Sequence, residues 1–436
     1  MKAFTLFTTG VEKIAEKMSS ASYITIIRDS FIYAITLVII GAFANLINNV
    51  LCNTTNGLAY FSQFAFLAKF SSIFTSINYA TMNFLAIFIV FLIASHLSRI
   101  RNIDNILAGL VALISYVVLI PTEISTKTVS GDIVNVNNVV SSTYTGSQGL
   151  FLAMIVGIAA TELFAKLQSI DQLKIKMPGS VPVGVSKQFN LLFPGIITVL
   201  AFGVVGYLFQ LITGKSITDV IYTVLQQPME RVMQYPLGFT VLILLSQAFW
   251  VIGIHGSSMI KAVREPIALA AIAANLAAYQ SGRAMENIFT IPFWNIFSTI
   301  GGAGNTIALI IAIFIFSKRE DHRAIAKLSV VPAFFGINEP VIFGLPIVLN
   351  PLLAIPFILA PVLSALLGYY LTYIGFAGIT MIQIPFTVPP LLNAFIASSG
   401  SIGLVITQVL AIILSTLIYI PFVRVANDLA EKDQSL

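Results

Sequence analysis

Hydrophobic residues along this chain come in blocks, and the blocks have two styles. Over the first half they are long and nearly uninterrupted, at 31–51, 72–98, 105–121, 148–166 and 189–213. Each is close to the roughly 20 apolar residues that cross a hydrocarbon core as a helix. The connections between them alternate in charge. Residues 1–28 carry Lys2, Lys13, Lys17 and Arg28, whereas 52–71 carry only Lys69. Residues 96–104 carry Arg99 and Arg101, 122–147 only Lys127, and 166–187 carry Lys166, Lys174, Lys176 and Lys187. Cytoplasmic loops hold the excess of Lys and Arg, so the first, third and fifth connections lie inside. The N-terminus is then cytoplasmic, with a short amphipathic helix over 1–20. The Ser/Thr/Asn-rich stretch at 122–147 reads as a small extracellular hairpin.

The second half is broken. Residues 216–235 are amphipathic and suit the membrane surface. Apolar spans follow at 237–254, 293–317, 345–374 and 401–423, the third reached through the basic segment 318–327. Between them, 255–290 carries Lys261, Arg264, Glu265, Arg283 and Glu286, and 376–400 is interrupted by Pro385, Pro389 and Pro390. One of these two stretches hides a further crossing, because a C-terminus on the inside needs an even number. The pattern predicts an all-α polytopic membrane protein of about ten transmembrane helices. Residues 1–213 form a scaffold half and 214–436 a solute-binding half. Irregular backbone at membrane depth is tolerated only inside protein or beside a watery cavity, and Gly/Pro-interrupted segments mark transporter binding sites.

Composition agrees: 57% of the 436 residues are hydrophobic, 9% are charged, and the mean hydropathy is +0.94. A soluble domain carries about 25% charged residues. The net charge of +5 fits basic loops rather than a nucleic-acid patch. One cysteine, Cys52, excludes an intrachain disulfide and a Cys-rich metal site. No phosphate-binding loop, zinc cluster or cofactor motif is present.

An ionisable group within the membrane costs about 2.5–3.5 kcal/mol or more at a helix centre, so each is a functional candidate. Glu339, in GINEPVIFGLPIVLNP (336–351), is the sharpest. It either caps a half-helix or pairs with a lysine, or it accepts hydrogen bonds from a polar, uncharged solute. Asn338 beside it offers donors and acceptors. His255 follows FWVIGI, between Gly253 and Gly256. It is either a packing residue or, with glycines allowing close approach, a ligand contact. Trp250 lies five residues earlier, about 140° away on a regular helix, so the two meet only if the glycines break it. His96 and His322 read as surface residues of basic loops. Glu162 pairs with Lys166 at i,i+4, and Glu265 and Glu286 read as loop charges.

The motifs FWVIGIHGSSM (249–259), FSTIGGAGNTIAL (297–309), FFGINEPVIFGLPIVLNP (334–351) and MPGSVPVGVSKQF (177–189) together resemble enzyme IIC of bacterial sugar phosphotransferase systems. The nearest group is the lactose/cellobiose/diacetylchitobiose family, and the resemblance runs over the whole chain in the same order. It implies a homodimer built on the first five spans, with two re-entrant hairpins and the sugar site in the second half. It implies uptake of a β-linked disaccharide, phosphorylated by a separate IIB protein at the cytoplasmic face of the bacterial plasma membrane. This chain would carry no phosphoryl group and need no cofactor. Carried over, Glu339 and His255 hold the hydroxyl to be phosphorylated. Asn338, Trp250 and Gly256 line the same site, and Asn295 or the Gly301-Gly302 turn contributes. The chain has Phe386 in PFTVPP where the family often has Trp, and Ser399-Gly400-Ser401 where it often has Gly-Gly-Asp. These departures bear on which sugar enters, not on the class. Fused forms carry a reactive cysteine in a IIB domain; Cys52 sits at the outer end of the first span, and the chain stops about a dozen residues after its last span. A separate IIB is therefore expected. Two other classes remain open: a proton- or ion-coupled sugar transporter with Glu339 as coupling carboxylate, and a structural or sensory membrane protein.

Overall fold

A computed structural model describes residues 22–54, 57–127, 133–175, 178, 181–345, 347–348 and 350–434. The expected amphipathic helix at 1–20 lies outside them, as does part of the 177–189 motif. The chain is mostly helical. Among the described residues, five helices are long and apolar enough to cross a membrane: Tyr23–Cys52, Ser147–Gln168, Gly184–Thr213, Pro351–Tyr373 and Ile402–Glu431. Two bent pairs bring the number to seven, and Asn105–Leu119 and Ala303–Phe316 are shorter apolar helices.

The chain divides into two compact units, one of residues 22–41 and 72–229, the other of 42–71 and 230–434. In the first, Leu85–Ile100 packs against Asn105–Leu119 and Leu150–Gln168. Leu85, Ile89, Ile93 and Leu97 repeat every four residues along one buried face of its helix. Small residues let the helices approach closely. A Cβ on Gly109 would meet the Phe91 ring at 2.5 Å, and one on Gly157 would meet Ile93 at 3.0 Å. The 122–147 stretch does form a hairpin, Glu123–Lys127 antiparallel to Ile133–Asn137 with Ile124 opposite Val136.

Two polar expectations in this unit change. Glu162 pairs not with Lys166 but with Arg101, at 2.6 Å, and accepts from Tyr23 Oη at 2.9 Å. Arginine offers two donors in a fixed fork, which a lysine cannot. His96 is not a loop residue; it lies in Leu85–Ile100, with Nδ1 2.9 Å from Ser30 Oγ and its ring 5.2 Å from that of Tyr33.

The second unit has one core, in which Pro351–Tyr373 packs along Ile402–Gln434 and Phe357 and Tyr419 are fully buried. The expected span at 293–317 is two helices, Ile291–Phe297 and Thr306–Phe316. Four residues of positive φ within a stretch of five separate them: Gly301 at 73°, Gly302 at 105°, Gly304 at 75° and Asn305 at 54°. A Cβ on Gly304 would meet the Phe357 ring at 2.1 Å, so glycine is required there twice over. Asn305 holds the break. Its Oδ1 accepts from the Ile300 N–H at 2.8 Å, and its Nδ2 donates to Phe297 O and Ser415 Oγ at 3.1 Å each.

The 376–400 stretch is irregular up to Leu391 and then forms the short helix Leu392–Ala397. Its buried part, 380–384, is held by hydrogen bonds from within the protein, as irregular backbone away from water requires. Asn275 Nδ2 donates to Thr380 O, and the Met381 and Ile382 N–H groups donate to Ala397 O. Leu391, at φ 70°, is fixed by Gln408, whose Oε1 accepts its N–H and whose Nε2 donates to Ile296 O. The final helix is longer than expected: it runs to Gln434, through the charged tail. Asn427 on it accepts from the Lys318 N–H and donates to Phe316 O. His322 is not a surface residue; it is 7% exposed in helix Glu320–Phe334.

Candidate functional site

The helix carrying Trp250, Pro236–Val251, stops where the chain needs it to. Gly253 takes φ 86°, a conformation costly for other residues, and turns the backbone out of helical register. His255 then N-caps a single turn, Gly256–Met259. The break brings the Trp250 and His255 rings to 4.4 Å between centroids. Sequence reasoning made their meeting conditional on that break, and the condition is fulfilled. Gly256 lets the new turn press on the old one: a Cβ there would sit 1.8 Å from Ser246 O and 3.0 Å from Trp250 Cδ1.

His255 Nδ1 accepts from the Ser258 N–H at 3.2 Å, with Ser258 Oγ at 2.9 Å. A ring nitrogen that accepts from a backbone N–H carries no proton, so the neutral ring is protonated at Nε2 and donates from there. His255 is exposed. Glu339 is also exposed and opens the short helix Glu339–Gly344, next to Pro340 at its start. An exposed acceptor and an exposed donor therefore stand on two segments that touch where Gly253 meets Val348.

Asn338 plays a different part. It is 4% exposed and its Nδ2 donates to Ala303 O at 2.9 Å. It packs over Gly302, where a Cβ would be 2.5 Å from Asn338 Cβ. It thus fastens the Glu339 turn to the broken span, and in this structure its amide nitrogen is committed to the protein. Gly336, at φ 79°, seats Phe386: its Cβ would be 3.1 Å from Phe386 O and 3.3 Å from the ring. The Phe386 ring is 64% exposed and presents an apolar face beside the Glu339 turn. Gly253 meets Val348 from the same segment, at 3.3 Å from its missing Cβ. The Trp250 indole is 4% exposed, with Nε1 unpartnered among the described residues. It offers an N–H more than a free face. Asn295 stands half-buried on Ile291–Phe297.

One feature was misjudged from sequence. Glu265 is not a loop charge; it is 1% exposed in helix Lys261–Gln280, in contact with Arg264, itself 4% exposed. The Arg264 guanidinium also stacks over Trp294, 4.6 Å from the ring centroid. Breaking such a buried pair costs about 3–5 kcal/mol, because the surviving charge has no counterion. Arg264→Leu should therefore lower the thermal unfolding midpoint sharply in detergent. Arg264→Leu with Glu265→Leu should recover most of it. A double variant as unstable as the single one would mean the pair is not what Glu265 needs.

The chain is similar to known proteins over most of its length. Residues 28–361 match the family described as Phosphotransferase system, EIIC. An oligo-beta-mannoside-specific EIIC component of Bacillus subtilis (strain 168) is 31% identical over 97% of this chain and 94% of its own. A cellobiose-specific EIIC component of Lactococcus lactis subsp. lactis (strain IL1403) is 26% identical over 96% of this chain and 97% of its own. Among solved structures, the crystal structure of the transporter ChbC, the IIC component from the N,N'-diacetylchitobiose-specific phosphotransferase system, matches at TM-score 0.89 and 30% identity, covering 97% of this chain and 98% of that one.

Proposed function

The chain belongs to the phosphotransferase system EIIC family, a sugar-specific membrane component, and from that premise we propose that it takes up a β-linked disaccharide of the cellobiose or diacetylchitobiose type. The observation that supports the site assignment most is the broken helix, which presents His255 beside Trp250 and at Gly253 meets Val348 of the segment that carries Glu339. A sugar hydroxyl donates to the Glu339 carboxylate while its oxygen accepts from His255 Nε2–H. That fixes the hydroxyl's orientation, with one lone pair left to attack phosphorus. On attack the new O–P bond forms as the S–P bond of a IIB phosphocysteine breaks. The hydroxyl proton leaves along the hydrogen bond it already makes, toward Glu339. The Phe386 ring gives an apolar face for a pyranose to lie against. The region around residues 214–436 moves as the solute-carrying half in an alternating-access cycle, against a homodimeric scaffold in residues 1–213. The N-terminus faces the cytoplasm of a bacterial plasma membrane, as the Lys/Arg distribution suggests.

Proteoliposomes test the class. With a proton gradient and no IIB, a IIC should accumulate no free disaccharide. Gradient-driven accumulation of unmodified sugar would instead favour a coupled transporter with Glu339 as its coupling group.

A further inference from the structure

One helical turn beside the site concentrates buried polar atoms without partners. Ser246 and Gln247 are fully buried, and Trp250 is 4% exposed. Yet Ser246 Oγ, both Gln247 Nε2 and Oε1, and Trp250 Nε1 have no hydrogen-bond partner among the described residues. A buried polar atom left without a hydrogen-bond partner is destabilising.

Many buried hydroxyls elsewhere avoid this cost by bonding back to the carbonyl four residues earlier, as Ser115 does to Val111, Thr161 to Gly157 and Thr372 to Gly368. Ser298 Oγ, Ser364 Oγ and one end of Gln383 are likewise unpartnered among the described residues, but Gln247 lacks a partner at both ends of its amide. Two other glutamines use both ends of the amide on backbone. Gln408 bonds Leu391 and Ile296, and Gln234 bonds Phe289 at both its N–H and its carbonyl. Those amides hold the fold together; Gln247 holds nothing in it. Its place is also specific. Positions 247 and 250 lie three residues apart, about 60° from each other on one helix face. Trp250 in turn stacks against His255, and the Ser246 carbonyl abuts Gly256. The orphaned groups thus lie within one turn of the indole that packs on the His255 ring.

We propose that Gln247 is a sugar-recognition residue, its amide taking one hydroxyl as acceptor and a neighbouring one as donor, with Trp250 Nε1–H and Ser246 Oγ alongside. The inference rests on the reading of the Glu339–His255 site given above. A site built to hydrogen-bond hydroxyls rejects analogues that lack them, because its own polar groups are then stranded. Gln247 therefore sets selectivity among sugars, whereas Glu339 and His255 hold the hydroxyl that reacts.

The test measures equilibrium binding of cellobiose, diacetylchitobiose and monodeoxy forms of whichever binds the purified full chain more tightly. It compares wild type, Glu339→Gln and Gln247→Leu, with thermal unfolding alongside. Gln247→Leu is expected to weaken the intact sugar at least tenfold while the unfolding midpoint holds or rises. It should bind one of the deoxy sugars almost as well as the intact one, a discrimination the wild type keeps. Unchanged binding, or an equal loss for every sugar, overturns the proposal and leaves Gln247 to water or packing. If Gln247→Leu fails to fold, Gln247→Asn gives the readout. It keeps both polar atoms one methylene short, and unchanged selectivity in it overturns the proposal equally. Loss of binding in Glu339→Gln with normal Gln247 variants sinks this inference alone. Normal binding in Glu339→Gln sinks the reading of the site itself.

Discussion

Glu339→Gln should leave the protein folded and weaken disaccharide binding by roughly 10–100-fold, with formation of phosphorylated sugar falling further. The change keeps size and removes charge. Glu339 is exposed and among the described residues makes no ion pair, so little in the fold depends on it. A hydrogen bond to a charged group contributes about 1.5–3 kcal/mol, and each 1.4 kcal/mol is tenfold in affinity. The extra loss in phosphorylation separates two roles. A residue that only grips the hydroxyl lowers binding and phosphorylation together. One that also receives the proton lowers turnover at saturating sugar as well. Normal binding together with normal phosphorylation would remove Glu339 from the site.

Gly256→Ala should damage the protein more broadly. The added methyl would fall 1.8 Å from Ser246 O, a backbone atom that cannot rotate away. Overpacking of this kind costs about 1–3 kcal/mol and sometimes more. Relief requires the Gly256–Met259 turn to lift off helix Pro236–Val251, which parts His255 from Trp250. Sugar binding should drop at least tenfold, and the unfolding midpoint should fall with it. Gly184→Ala, where a Cβ meets nothing within 4 Å, is the matched control and should change neither. A Gly256→Ala protein with wild-type binding and stability would show that the two turns do not need their close contact.

Much of this site was legible because its markers are local. Gly253 and Gly256 flag a helix break, and the break alone decides whether Trp250 and His255 can meet. Gly336 and Pro340 flag irregular backbone around Glu339. Other features depend on partners far along the chain, and periodicity carries no trace of them. Glu162 has a tempting Lys166 four residues on, but Arg101 reaches it from 61 residues away. Glu265 sits in a charged cluster that reads as loop, and only tertiary packing buries it with Arg264 under Trp294. The 293–317 run carries no charge and is mostly apolar, so its length argued for one span. The Gly301–Asn305 sequence was visible as a motif, yet its meaning as a break depends on Phe357 and Ser415. Gln247 is one of three polar letters in FTVLILLSQAFWV, and its signal is the absence of a partner, which a sequence does not display.

The most direct test of the account is the fate of a labelled disaccharide in vesicles carrying this chain, with and without a phosphorylated IIB protein. The account predicts phosphorylated disaccharide inside the vesicles only when IIB is present, and none when Glu339 is replaced by Gln. Accumulation of free sugar without IIB, or undiminished phosphorylation in Glu339→Gln, would contradict it.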